Sequence, residues 1–126
     1  MPFTPGRPLA DAKADLFKAL AHPGRVRILE LLAEGERSVG ELAAGTGMEL
    51  SHLSQQVTVL RRAGVVDSRR VKNTVICSLR DTQTAELLAV ARRMLTRTLR
   101  DDQELLTALS RANDAVALAD PARSPA

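Results

Sequence analysis

Residues Glu41–Gly64, ELAAGTGMELSHLSQQVTVLRRAG, decide the fold. A short apolar helix over Glu41–Ala44 runs into Gly45-Thr46-Gly47, where glycine supplies the backbone angles of a sharp turn. In the helix that follows, Leu53, Val57 and Leu60 recur at spacings of four and three, so they share one face and should point inward. Ser51, His52, Gln55 and Gln56 are then left pointing away from the core, near the helix N-terminus. Such a helix end suits a DNA major groove, because Ser and Gln bond base edges and phosphates and the positive end of the helix dipole favours phosphate. The same pattern also describes a plain solvated surface helix, and two helices about a turn serve ordinary packing as well. The flanking sequence separates these readings.

After Gly64 the periodicity changes. Val65–Val71 and Thr74–Leu79 are β-prone runs joined at Lys72-Asn73, where Asn tolerates positive φ. A two-stranded hairpin directly after a groove helix is the wing of a winged helix-turn-helix, and here Arg69, Arg70 and Lys72 could reach backbone or a minor groove. Charge agrees with that placement. Between Ser51 and Arg80, six cationic side chains (Arg61, Arg62, Arg69, Arg70, Lys72 and Arg80) face the single Asp67, so this segment carries +5 of a chain whose net charge is +3. The rest must carry −2, which makes the basic patch a local footprint for phosphate.

Upstream, residues 1–8 hold three of the six prolines and read as an irregular arm. Leu9–Leu20 is helical, with Leu9, Leu16, Phe17 and Leu20 as its apolar set. His22-Pro23-Gly24 interrupts it, and Pro23 is placed to open a second helix over Arg25–Leu32, rich enough in Val, Ile and Leu to be buried on more than one side. Gly35 ends that helix. Ser38 reads as an N-cap, with Glu41 three residues on completing a capping box. Downstream, Asp81 reads as the cap of a long helix reaching about Leu109, with Leu87, Leu88, Ala91, Leu95, Leu99, Leu106 and Leu109 as an apolar stripe at roughly heptad spacing. That stripe either packs on the chain's own first helix or, together with it, forms a homodimer interface. The second is favoured, since winged-helix readers pair on two-fold operators. The Ala/Pro-rich tail, 111–126, should fray.

Composition sets the remaining bounds. At 126 residues the chain fits one domain, 9–110, with a small core. It has no Trp or Tyr and two Phe, which argues against base-stacking recognition of single strands. No apolar run approaches the ~20 residues of a membrane span, and the N-terminus lacks a basic segment followed by an apolar one. The lone Cys77 forbids an intramolecular disulfide, so a cytoplasmic protein is expected. No enzyme site can be assembled from two His, one Cys and scattered acids.

The segments LFKALAHPGRVRILELLAEGERSVGELA, LSHLSQQVTVLRRAGVVDSRR and VICSL, in that order between Leu16 and Leu79, resemble the ArsR/SmtB family of bacterial transcriptional repressors. The resemblance implies a homodimer of mainly α fold with a two-stranded hairpin, in the order ααααββα, paired through its first and last helices. It implies binding to an imperfect inverted repeat in a promoter, with release when a ligand binds. The family's groove helix corresponds to Leu50–Ala63 and its wing to Val66–Leu79, with Lys72 where a wing-tip glycine is usual. Many relatives hold a metal through Cys-x-Cys at the start of the first motif helix, but Ser38 and Gly40 stand there. Others use Asp-x-His and His-x-x-Glu on the last helix, where Asp81, Gln83, Met94 and Arg97 stand. Neither usual ligand set is present and no cofactor is recognisable, although a transition-metal site of another composition stays open. His22 is expected to cap or pack, His52 to meet DNA, and Cys77 to be a small core residue rather than a redox thiol.

The expectation is thus a dimeric regulator of double-stranded promoter DNA, acting as a repressor. Ser51, His52, Gln55 and Gln56 would read bases, while Ser54, Arg61, Arg62, Arg69, Arg70 and Lys72 would hold phosphates or the wing groove. For Arg61 and Arg62, at the far end of the helix, a surface ion-pair role stands beside the phosphate role. The alternatives are a DNA binder whose sensing is delegated to a partner protein, and a winged-helix module that docks proteins.

Overall fold

The computed structural model describes residues 8–119, with side-chain surroundings as far as residue 114. The arm expected over residues 1–8 lies outside the described residues apart from Pro8, and residues 120–126 of the expected tail lie outside them too. The elements are α1 (Leu9–Leu20), α2 (Pro23–Ala33), β1 (Arg37–Ser38), α3 (Val39–Thr46), α4 (Leu50–Arg62), β2 (Val66–Val71), β3 (Thr74–Leu79) and α5 (Gln83–Ala119). This is the expected winged helix-turn-helix order with one addition, β1. The sheet has three strands rather than two, in the order β1-β3-β2, all antiparallel.

The helix boundaries follow from local chemistry. His22 takes extended backbone angles, and its Nδ1 accepts the Gly24 N–H at 3.1 Å, so it caps α2 while Pro23 fills the first helical position. Ser38 and Glu41 close the capping box reciprocally: Glu41 N–H donates to Ser38 Oγ and Ser38 N–H to Glu41 Oε1, each at 3.0 Å. The Glu41 carboxyl is held below the usual glutamate range, first by the hydrogen bond from the Ser38 backbone. Gly47, at φ 73°, is the left-handed C-cap of α3. Gly45, expected in the turn, is not a turn residue. It lies inside α3, where a Cβ would stand 2.8 Å from Leu31 Cδ1, so the missing side chain lets α3 approach α2.

Ile28, Leu29 and Leu32 from α2, Leu42 from α3, Leu53, Val57 and Leu60 from α4, and Val66 and Cys77 from the sheet form one core. Burying each large aliphatic side chain contributes on the order of 1.5–3 kcal/mol, so α4 is fixed by its inward face. Within the hairpin, Val66 pairs with Leu79 and Val71 with Thr74, leaving Lys72-Asn73 as a two-residue turn. Positive φ (57°) falls on Lys72, not on Asn73 as the turn chemistry suggested. Cys77 pairs with Arg37 on one side and Ser68 on the other, and it is fully buried. Burial pushes its thiol pKa up, with Arg61 pulling the other way, which suits a small core residue.

The chain divides into two compact units, Met1–Leu88 and Ala89–Ala126. In the first, Asp81 Oδ1 accepts the Gln83 N–H at 2.8 Å as α5 begins, and Leu87 and Leu88 pack against the core. In the second, α5 continues to Ala119, past the Leu109 at which the apolar pattern suggested its end. Met94, Leu95, Leu99, Leu106 and Leu109 are exposed there. No described helix is long and apolar enough to cross a membrane.

Candidate nucleic-acid interface

Because Leu53, Val57 and Leu60 anchor α4, the opposite face is set by the helix period. Ser51, His52, Ser54 and Gln55 are exposed on it, as expected. Gln56 is the exception. It follows Leu53 by three residues and precedes Leu60 by four, so it belongs to the inward face, and it is only 9% exposed. Its Oε1 accepts a hydrogen bond from Arg25 Nε at 2.8 Å. Gln56 therefore faces α2 rather than away from the core as expected; the spacing from Leu53 is the signal that could have shown it.

The N-terminus of α4 carries no side-chain cap: Glu49 holds the cap position with extended angles and bonds none of the first-turn amides through its side chain. Those N–H groups keep the positive end of the helix dipole open to an anion. Glu49 Oε1 instead accepts the Ser51 hydroxyl at 3.1 Å. The first two turns of α4 thus bring together uncapped amides, an oriented serine, His52 and Gln55.

The cations divide into tethered and untethered groups. Arg61 donates from Nη1 to Ser68 Oγ at 3.2 Å, tying the end of α4 to β2. Arg69 makes a two-point bond to Glu36, with Nη1 to Oε2 at 2.5 Å and Nη2 to Oε1 at 3.1 Å. Arg69 was expected as a wing contact, but its guanidinium is engaged by the carboxylate that precedes β1. The Arg69 hydrogen bond is the main reason the Glu36 carboxyl sits below the usual carboxylate range, so the pair stays charged through neutral pH. Arg80 bonds Asp67 at 3.0 Å. Among the described residues Arg62, Arg70 and Lys72 are exposed and make no ion pair, which places two unneutralised cations at the wing tip and one at the far end of α4.

Of the positions matched to metal ligands by the resemblance, two are occupied by helix-capping groups. Ser38 Oγ is spent on the capping box and Asp81 Oδ1 on the start of α5. Among the described residues no three His, Cys, Asp or Glu side chains cluster as a metal site would need.

Comparisons with known proteins agree with this geometry. The model of the ArsR family of bacterial regulatory proteins matches residues 22–68. The HTH-type transcriptional regulator Rv0081 of Mycobacterium tuberculosis is 59% identical over 95 residues, covering 75% of this chain and 83% of that protein. Its crystal structure matches with a TM-score of 0.71 at 57% identity, over 77% of this chain and 98% of the other. The solution structure of the homodimeric winged helix-turn-helix DNA-binding domain of Mb0332 from Mycobacterium bovis matches at 0.68 and 32% identity, over 78% and 95% of the two chains. The biofilm growth-associated repressor of Agrobacterium fabrum is 45% identical over 75 residues, 60% of this chain and 64% of that protein. On this sequence identity and structural match, the chain belongs to the ArsR family of bacterial regulatory proteins, which are winged helix-turn-helix transcriptional regulators and not enzymes.

Proposed function

We propose that the protein is a repressor that binds an inverted-repeat operator in double-stranded promoter DNA as a homodimer in the cytoplasm. The observation that carries this reading is the exposed row Ser51, His52, Ser54 and Gln55 on a helix whose other face is locked by Leu53, Val57 and Leu60. In this reading Ser51, His52 and Gln55 meet base edges. Ser54, Arg62, Arg70, Lys72 and the open amides of α4 meet phosphates. Arg61 acts chiefly to hold α4 against β2. Residues 9–110 are the DNA-binding and dimerisation domain, with α1 and α5 as the pairing helices. Supporting this, Phe17 on α1 is 54% exposed and Leu99 on α5 is 67% exposed in the single chain, which is unfavourable for large apolar groups left in water. The homodimeric relative from Mycobacterium bovis supports the same assembly.

Selection of bound duplexes from a random-sequence library is the direct test. The wild-type chain is expected to enrich two half-sites one helical turn apart, about 10–10.5 base pairs. Gln55→Ala should relax preference at one position per half-site, at about 1–3 kcal/mol. Equal weakening on the enriched and on random duplexes would remove Gln55 from base reading. Because Ser38, Gly40, Gln83, Met94 and Arg97 stand where the usual thiolate, imidazole and carboxylate ligands would be, this reading gives the signal that releases DNA to a partner protein or another ligand.

A further inference from the structure

The partly buried contact between Arg25 and Gln56 joins three helices. Arg25 lies in the first turn of α2 and is half-buried. Its Nε donates to Gln56 Oε1 in α4 at 2.8 Å, and its Nη1 donates to the Ala19 carbonyl in the last turn of α1 at 3.1 Å. That carbonyl belongs to the set a helix end leaves without intrahelical partners. The two bonds use different nitrogens of one planar, rigid group, so the positions of Gln56 and Ala19 are set relative to each other.

The leucine face of α4 fixes which side of the helix points inward, while a hydrogen bond adds an angular constraint that non-directional apolar burial does not supply. A turn of α4 about its own axis by about 20° would carry a side-chain tip, roughly 6 Å from that axis, through about 2 Å. A hydrogen bond to a charged donor is lost over such a distance. Gln56 is the residue next to Gln55 and two from Ser54, so whatever fixes its azimuth fixes theirs.

We propose that Arg25 is a positioning residue for DNA recognition: it sets the rotation of α4 through Gln56 and ties that rotation to the C-terminal end of α1. This rests on the reading of α4 as the groove helix and of α1 as a pairing helix. Arg25 itself touches no DNA. Its effect is to make the angle presented to the groove depend on where the end of α1 stands.

The test uses the full chain with Arg25→Met, Gln56→Met, their combination, and Gln56→Glu, which keeps an acceptor for the guanidinium. The DNA probes are the duplex that the wild-type chain enriches from a random library and a fixed 30-base-pair duplex of unrelated sequence. Gln56→Met should reduce the affinity ratio between the two duplexes by about tenfold, the loss of one charge-assisted hydrogen bond, and Arg25→Met, which also gives up the bond to Ala19, by at least as much. The double variant should be no worse than Arg25→Met alone, and Gln56→Glu should retain the ratio. The salt slope on the unrelated duplex should not change. In the free protein, hydrogen exchange should quicken in α4 and in the last turn of α1 while β2 and β3 stay as they were.

A salt slope flattened by about one in Arg25→Met would make Arg25 a phosphate contact and overturn the proposal. So would equal losses on both duplexes, additive losses in the double variant, or unaltered exchange. If Arg25→Met fails to fold, the near-isosteric Gln56→Met carries the test alone. A wild-type chain that enriches no sequence would sink the DNA-reading function, and the exchange comparison would still decide whether Arg25 links α1 to α4.

Discussion

Glu36 holds the Arg69 guanidinium in an ion pair, and releasing it should alter DNA binding by a calculable amount. Both Nη atoms of Arg69 are taken by the Glu36 carboxylate, at 2.5 and 3.1 Å, so in the wild type Arg69 offers a phosphate little. Glu36→Gln removes the charge that holds it. If the freed guanidinium then engages one phosphate, the slope of log K against log salt steepens by about 0.9 for B-form DNA. Between 50 and 200 mM salt that steepening amounts to about a 3.5-fold larger loss of affinity than the wild type shows. The assay is fluorescence anisotropy on a duplex of unrelated sequence at four or five salt concentrations. Arg70→Ala serves as the opposite control, because Arg70 has no tether and its loss should flatten the slope by about the same 0.9. In a Glu36→Gln, Arg69→Ala double variant the steepening should vanish. A slope that steepens equally with Arg69 gone would mean that Glu36 acts only through general charge. An unchanged slope in Glu36→Gln would show that Arg69 never reaches DNA.

Three further outcomes rest on the described contacts. Ser38→Ala removes the capping box of α3 and should lower stability by about 1 kcal/mol in urea denaturation. The Ser38 contacts depress the Glu41 pKa, so the stabilisation from Glu41 is present above the unfolded value and lost as pH falls through the folded one. An NMR titration should therefore find the Glu41 midpoint below the usual glutamate range in the wild type and shifted upward in Ser38→Ala. Lys72→Gly relieves a left-handed backbone angle at the wing tip and should raise stability by about 0.5–1 kcal/mol, while flattening the salt slope because a wing cation is lost; a fall in melting temperature would refute the strain. Cys77, buried and with its thiol pKa raised, should resist Ellman's reagent in the folded chain at pH 8 and react at once in guanidinium.

What can be read in the sequence divides along physical lines. The boundaries of α1 and the start of α2 are legible because Pro8 and the His22-Pro23 pair punctuate the chain, and the inward face of α4 is legible because three aliphatics repeat at helical spacing. The capping box is legible because it is local. β1 is not, since two residues are too short to show alternation and its pairing partner, Ile76–Cys77, lies far along the chain. Gly45 looks like a turn because its reason, the approach of Leu31, is tertiary. Gln56 and Arg69 suggest outward roles because each meets a partner about thirty residues away, Arg25 and Glu36, whose proximity only the fold creates. The placement of polar residues is thus readable from periodicity, and their availability is not.

The two-residue strand β1 bears on how far the protein can change. Ser38 pairs with Ile76 in the sheet and, in the same residue, starts α3. The middle of β3 is therefore tied through β1 to the start of α3, while the far end of the hairpin, Lys72-Asn73, stands exposed. Insertions at that loop should be absorbed, allowing a longer reach along a duplex. An insertion of the same size at Gly35 would throw Arg37 and Ser38 out of step with β3 and misalign the whole recognition apparatus. On the proposed reading, new operator preferences would accumulate at the tip and on the open side of α4, leaving the joint between ribbon and helices as the fixed chassis on which they are mounted.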